Sequence, residues 1–142
     1  LPTHQVVGFG RACALAKEEG GADAIRVGAL REALWRSLAH LPGVSLNSPL
    51  AGGSPAILNV SFEGVEGESL VTALTEIAIS TGSACSSATA AGSYVLRSLG
   101  RSTELAQSSL RFSLGRFTCA ADIERASEAV KRAFMRLRSV AP

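Results

Sequence analysis

The sequence is poor in aromatic residues and has little excess charge. Aromatics make up 5% of the 142 residues, so the core must consist mainly of aliphatic and alanine side chains. Fourteen basic against twelve acidic residues leave a formal charge of +2, too little to indicate nucleic acid or an anionic membrane as a partner. No uncharged apolar run is long enough to span a bilayer, and no secretory signal is visible at the start.

Cysteine is also scarce. The three cysteines, Cys13, Cys85 and Cys119, are far apart and form no CxxC pair, and only two histidines could join them. This pattern argues against a structural zinc site and against the disulfide framework of a small secreted protein. We therefore expect a protein of the reducing cytoplasm.

The hydrophobic share of 46% is that of one folded domain. Helical spacing predicts a first helix that ends at Gly20-Gly21 and a second that ends before Pro42. Alternating or short apolar runs predict strands, helical spacing predicts further helices, and Thr118 is expected to cap the last one. We predict mixed α/β layers, with strands at 44–46, 57–62, 77–80 and 110–114 and helices at 66–76, 94–99, 104–107 and from about 119 onwards.

Cys85 is the most suggestive single residue. It lies in residues 81–92, a stretch of Gly, Ser, Ala and Thr that has almost no large side chain. Small neighbours permit backbone movement and leave a sulfur accessible, as a sulfur or acyl carrier requires. A tightly packed small-residue turn is the alternative, and the local composition leaves both open. Cys13, on the apolar stripe of the first helix, is expected in the core, and Cys119 is expected to be an incidental, partly exposed thiol.

Arg111 is the second candidate. On the predicted strand it points away from the side of Leu110 and Phe112, so its guanidinium should leave the core. A guanidinium binds a carboxylate through two parallel hydrogen bonds, which a lysine cannot do. A substrate carboxylate and an ordinary ion pair with Asp or Glu are both possible partners. For Arg116 the structural ion pair is the preferred interpretation.

Several segments together resemble the C-terminal part of a cysteine desulfurase of the IscS/NifS-like, flexible-loop class. The two most specific motifs are STGSACSS at residues 80–87 and SLRFSLGRFT at residues 109–118. Further matches follow in the expected order, and the resemblance covers essentially the whole chain. They are LPTHQVVG (1–8), LNVSF (58–62), VEGESL (65–70) and SYVLR (93–97).

The resemblance implies a pyridoxal-phosphate enzyme of the aspartate-aminotransferase-like fold, usually a homodimer. Such an enzyme converts L-cysteine to L-alanine, leaves the sulfur as a persulfide on the loop cysteine, and passes it to an iron–sulfur scaffold or another acceptor protein. By this resemblance Cys85 is the catalytic residue and Arg111 binds the substrate carboxylate. Residues 1–40 would be linking helices and residues 41–142 the small domain.

The chain lacks the family's cofactor lysine motif. Lys17 and Lys131 are its only lysines, and neither lies in that motif. We therefore expect no cofactor-binding residue in this chain, no covalently bound cofactor, and no activity of the chain alone. The start of the last helix also lacks the usual Glu at its third position, so we expect its capping box to be lost and its cap to be weak.

A second hypothesis is a cofactor-free module that carries a persulfide on Cys85 or docks on a scaffold protein. A third is an inert domain. As part of a larger protein, the chain would leave bare the apolar surface that the larger domain and the dimer partner normally cover, particularly along the first helix, so we expect it to self-associate.

Overall fold

The computed structural model describes residues 1–81 and 93–140. Within these residues the chain forms five helices and three strands, which confirms the predicted mixed α/β layers. In chain order they are α1 (Thr3–Leu38), β1 (Val44–Leu46), β2 (Ile57–Phe62), α2 (Gly67–Ala73), α3 (Tyr94–Ser98), α4 (Thr103–Gln107), β3 (Ser109–Ser113) and α5 (Ala120–Val140).

Helix α1 is one continuous helix of 36 residues, so the predicted break at Gly20-Gly21 is wrong. Glycine lowers helix stability by about 1 kcal/mol relative to alanine. Two such positions do not interrupt the ladder of backbone hydrogen bonds when long helix-forming segments flank them on both sides. The break comes later, at residues 39–43, where Gly43 adopts a φ of +81° that other residues rarely reach.

The three strands form an antiparallel sheet in the order β1-β2-β3. The register places Leu58 opposite Phe112 and Val60 opposite Leu110, and these side chains are buried on one face. Successive residues of a strand point to opposite faces, so the intervening residues lie on the other face. That second face, here called the polar face, carries Ser45, Asn59, Ser61, Ser109, Arg111 and Ser113.

The apolar face of the sheet packs against α1 and α5. The C-terminal half of α1 contributes Leu34 and Leu38, and α5 contributes Val130 and Phe134, all buried in one hydrophobic cluster. The Phe134 ring meets the ring of Phe62 edge to face, with centroids 5.4 Å apart. The two long helices therefore cover one side of the sheet. On the polar face, Ser61 and Ser109 are buried beside α4, whereas Arg111 and Ser113 are exposed.

Two predicted elements differ in the structure. Residues 77–80 form no strand, and only Ser80 makes an isolated bridge, to Arg111. The cap of α5 is Cys119 rather than Thr118: the Cys119 backbone N–H donates to Asp122 Oδ2 at 2.9 Å. Asp122 occupies the third helical position and replaces the missing Glu, so the expectation of a lost capping interaction is wrong. The Thr118 hydroxyl instead accepts from the Gly115 N–H at 2.9 Å.

Within residues 1–81 and 93–140, no helix is long and apolar enough to cross a membrane. The same residues contain no group of three or more His, Cys, Asp or Glu side chains placed to hold a metal ion.

Candidate functional site

Arg111 lies in the middle of β3, on the polar face, and its side chain is exposed. Strand alternation explains this position, because Leu110 and Phe112 on either side are buried against the helices. In the part of the chain that the structure describes, the Arg111 guanidinium makes no hydrogen bond or ion pair. The structure thus agrees with the predicted direction of Arg111 and shows no internal carboxylate that occupies it.

The segment that leads to Cys85 is attached beside Arg111. The Arg111 backbone N–H donates to the Ser80 carbonyl at 2.7 Å, on the side of β3 that faces away from β2. Thr81, the next residue, is half-buried and is the last one described before the gap. Cys85 itself lies outside the described residues, so its predicted role stays a prediction.

A hydrogen-bonded cluster of small polar side chains lies on the polar face. The Asn47 side-chain amide donates to Asn59 Oδ1 at 2.7 Å and to Ser61 Oγ at 2.8 Å. The hydroxyls of Ser61 and Ser109 are 2.7 Å apart, and Ser109 Oγ also donates to the Leu105 carbonyl at 2.6 Å. Ser61 and Ser109 are fully buried. Loss of either hydroxyl would leave a buried group unpaired, so the cluster fixes the side chains that surround it.

Sequence reasoning missed this cluster. Asn59 and Ser61 lie in the predicted strand 57–62, Ser109 lies in the motif at 109–118, and Asn47 lies outside every predicted element. The available signal was the alternation itself, because β2 and β3 both carry polar residues at every second position. Only the strand register shows that these positions lie side by side.

Arg116 is a structural residue, as preferred from the sequence. Its guanidinium pairs with Glu19 and, at 3.5 Å, with Asp23, both on α1. It also lies over the Phe117 ring at 5.6 Å from the centroid. These contacts hold the loop after β3 against α1, and Arg116 is therefore not available as a second carboxylate ligand on the polar face.

Arg31 is a buried arginine that sequence reasoning did not single out. Its side chain is 3% exposed, and it donates to the carbonyls of Ser54 at 2.8 Å and Leu50 at 2.7 Å. These bonds tie residues 49–54, a loop without regular structure, to α1. Arg31 stands between Val27 and Leu34 on the buried stripe of α1, which was the available signal.

The two lysines lie away from the polar face. Lys131 is on α5, where its ammonium pairs with Glu128 at 3.0 Å. Lys17 is exposed on α1, a helix that covers the opposite, apolar face of the sheet only with its C-terminal half. Neither ammonium group stands beside Arg111. The residues present therefore do not fit a covalently held carbonyl cofactor at this site.

The two described cysteines are both exposed free thiols. For Cys119 this agrees with the expectation. For Cys13 the expected core position is wrong, because residues 3–13 of α1 are all exposed within the described part of the chain. Cys119 donates its thiol proton to Asp122 Oδ2 at 3.2 Å. The hydrogen bonds from the Cys119 backbone and thiol, together with Arg125, lower the pKa of Asp122 to about 2.

Comparison with known proteins gives one family. The family model for aminotransferase class-V matches residues 1–126. Over all 142 residues the chain is 51% identical to the cysteine desulfurases IscS of Edwardsiella ictaluri and of Escherichia coli O139:H28. It covers 35% of each, so it spans about a third of the length of these curated relatives. The solved structure of a NifS-like protein from Rickettsia africae matches with a TM-score of 0.77 and 26% identity, over 90% of this chain and 33% of that one.

Proposed function

Because the chain belongs to the aminotransferase class-V family, we propose that it is the C-terminal part of a pyridoxal-phosphate-dependent cysteine desulfurase. The enzyme converts L-cysteine to L-alanine and supplies the sulfur for iron–sulfur cluster assembly. The observation that supports this most strongly is the 51% identity to cysteine desulfurases along the whole chain. In this proposal residues 1–40 link to the preceding part of the protein, and residues 41–142 form the small domain.

Arg111 binds the α-carboxylate of L-cysteine. Its guanidinium is exposed on the polar face and has no carboxylate partner within residues 1–81 and 93–140. The fork of N–H donors matches the two carboxylate oxygens, and the positive charge strengthens both hydrogen bonds. Arg111 thereby orients the amino acid relative to the sheet.

Cys85 receives the sulfur. Its thiol becomes a persulfide as L-cysteine is released as L-alanine, and the persulfide then passes to an acceptor protein. The bond between the Arg111 N–H and the Ser80 carbonyl supports this role, because it starts the Cys85 segment beside the carboxylate ligand. Ser80 and Cys85 are five residues apart, so the covalent chain keeps their Cα atoms within about 18 Å of each other.

The cofactor is held by residues outside this chain. Neither lysine lies on the polar face, and Lys131 is already paired with Glu128. When bound, pyridoxal phosphate supplies the electron sink that weakens the bond to the substrate sulfur. We therefore propose that the 142-residue chain alone is inactive, and that it works within a homodimeric protein of the reducing cytoplasm. The free thiols of Cys13 and Cys119 are compatible with that compartment.

The test uses a joined protein, in which the N-terminal part of Escherichia coli IscS that this chain lacks precedes the chain. With pyridoxal phosphate and L-cysteine, the joined protein should release alanine and the 142-residue chain should not. Cys85→Ser should abolish persulfide formation, which alkylation and mass spectrometry detect. Alanine release by the 142-residue chain alone would refute its proposed dependence on the preceding part of the protein. A persulfide that forms on the chain without cofactor would favour the carrier hypothesis instead.

Arg111 is tested in the same protein. Arg111→Lys keeps the charge but loses the two parallel hydrogen bonds, so the KM for L-cysteine should rise about tenfold or more. Arg111→Ala should raise it further. Ser113→Ala is the matched control, because Ser113 is exposed on the same face of the same strand. An unchanged KM in Arg111→Ala would refute the carboxylate role.

A further inference from the structure

We propose that Asn59 is a second ligand of the substrate carboxylate, beside Arg111, and that its side-chain amide donates a hydrogen bond to one carboxylate oxygen. This inference rests on the proposed function. Asn59 lies on the polar face of the central strand β2, directly opposite Arg111 in the register of β2 and β3. The two residues are thus neighbours across the sheet on its polar face, away from α1 and α5.

The hydrogen-bond pattern shows how close this pair is. Phe62 donates its backbone N–H to the Ser108 carbonyl, which makes these two residues a hydrogen-bonded pair. Hydrogen-bonded and non-hydrogen-bonded pairs alternate along antiparallel strands. Asn59 and Arg111 lie three positions along the strands from Phe62 and Ser108, so they form a non-hydrogen-bonded pair.

The backbone N–H groups of Asn59 and Arg111 both donate to residues outside this strand pair, as expected for a non-hydrogen-bonded pair. Arg111 directs its N–H to the Ser80 carbonyl at 2.7 Å, away from β2. Asn59 directs its N–H to Ser48 Oγ at 2.8 Å, away from β3. In such a pair the Cα atoms are about 4.5 Å apart and the side chains are closer than in a hydrogen-bonded pair. A single carboxylate can therefore contact both side chains.

The Asn59 amide is held in one orientation. Asn47 Nδ2 donates to Asn59 Oδ1 at 2.7 Å, and the same Asn47 amide is fixed by its bond to the buried Ser61 hydroxyl. The oxygen of the Asn59 amide is thereby engaged on the side of Asn47, and its Nδ2 group points away from Asn47. Within the described ranges, 1–81 and 93–140, Asn59 Nδ2 has no acceptor.

An amide donor is suited to this position. It adds no charge beside Arg111. Each carboxylate oxygen can accept two hydrogen bonds, so an oxygen that already accepts one from the guanidinium can accept another from the Asn59 amide. A ligand bound in this way must carry a free carboxylate, which L-cysteine and the product L-alanine share. An amide donor that is already fixed loses little side-chain entropy on binding.

The decisive variant is Asn59→Ala in the joined protein with its cofactor, because it removes the donor and places no carboxylate beside Arg111. We expect the KM for L-cysteine and the Kd for L-alanine each to rise about tenfold. Asn59→Ala also loses the bond from Asn47, so Asn47→Ala, which loses the same bond but keeps the donor, is the matched control. It should give a rise of no more than about threefold.

Two controls separate binding from folding. Ser113→Ala should leave both constants unchanged, and the melting temperature of Asn59→Ala should fall no further than that of Asn47→Ala. In the Arg111→Ala background, Asn59→Ala should have less than a third of its effect, because both residues hold the same carboxylate.

The outcomes distinguish this inference from the proposed function. If Arg111→Ala raises the KM while Asn59→Ala leaves KM and Kd unchanged, the carboxylate site stands and the role of Asn59 is refuted. Equal effects of Asn59→Ala in both backgrounds would also refute it, because independent effects show that the two residues do not share a ligand. If Arg111→Ala has no effect either, the proposed function itself fails.

Discussion

The surroundings of each arginine decide what it can bind. Arg31 is buried and donates to backbone carbonyls, so its charge is used to hold a loop. Arg116 pairs with Glu19 and Asp23 and is used to fix the loop after β3. Arg111 is exposed between two buried neighbours, and among the described residues no carboxylate reaches it. Of these three side chains, Arg111 is therefore the one able to take an external carboxylate.

Asp122 makes the start of α5 sensitive to acid. Its pKa is lowered to about 2, first by the bond from the Cys119 backbone. A lowered pKa in the folded state stabilises the fold above the ordinary pKa of about 4, and this contribution is lost as the pH falls towards 2. We predict that Asp122→Asn lowers the melting temperature at pH 7 and flattens its decline between pH 4 and pH 2.

Thermal unfolding followed by circular dichroism across this pH range measures the effect. The matched control is Glu124→Gln, an exposed carboxylate two residues further along the same helix. A pH profile of Asp122→Asn that coincides with that of the parent chain would show that the cap contributes nothing.

At the scale of elements, the contact between α2 and α4 depends on a missing side chain. Gly67 begins α2 and is buried, and a Cβ placed there would collide with the backbone carbonyl oxygen of Gln107 at the end of α4. We predict that Gly67→Ala destabilises the fold by about 1–3 kcal/mol, because backbone atoms cannot move aside as a flexible side chain can. Denaturant unfolding measures this free energy.

Gly28→Ala is the control for this substitution. At Gly28, inside α1, an added Cβ would meet Pro55 at an ordinary contact distance of 3.6 Å. This variant should be neutral or slightly stabilising, since alanine favours a helix more than glycine does. If Gly67→Ala and Gly28→Ala lower the free energy of unfolding by similar amounts, the close approach of Gly67 to Gln107 is not the cause of the destabilisation.

The elements also show what local patterns predict. Strands β1, β2 and β3 and the amphipathic helix α5 were expected close to their observed bounds, because burial on one face imposes a regular spacing on the sequence. The expected strand at 77–80 was too short and too isolated for its spacing to be informative. The one-residue shift of the α5 cap arose because Thr118 and Cys119 can both precede a helix, and the position of Asp122 decided between them.

At the scale of the whole molecule, the first turns of α1, residues 3–13, are exposed and have no packing partner within the described chain. Val6 is 62% exposed and Phe9 73% exposed, although their spacing is that of a buried stripe. Relatives are about three times as long, so in the longer proteins further residues are present that could cover this stripe. The resemblance to cysteine desulfurases is confirmed at this scale, by family and by fold.

We predict that the 142-residue chain self-associates through this stripe. Sedimentation velocity should show species heavier than the 14.6 kDa monomer. The double variant Val6→Gln with Phe9→Gln should shift the distribution towards the monomer, because glutamine keeps the helix and removes the apolar surface. Met135→Gln, at an exposed apolar position on α5, is the control and should leave the distribution of species unchanged. A monomer at all concentrations would contradict the prediction.

The sequence by itself determined the family, the layered α/β class and the outward direction of Arg111, because residue identity and alternation are local properties of the chain. The tertiary structure alone decided which distant residues are neighbours. Strand register places Asn59 across from Arg111, and the isolated bridge attaches Ser80 beside them. Such contacts join residues tens of positions apart, and they depend on how whole elements pack, which no local spacing encodes.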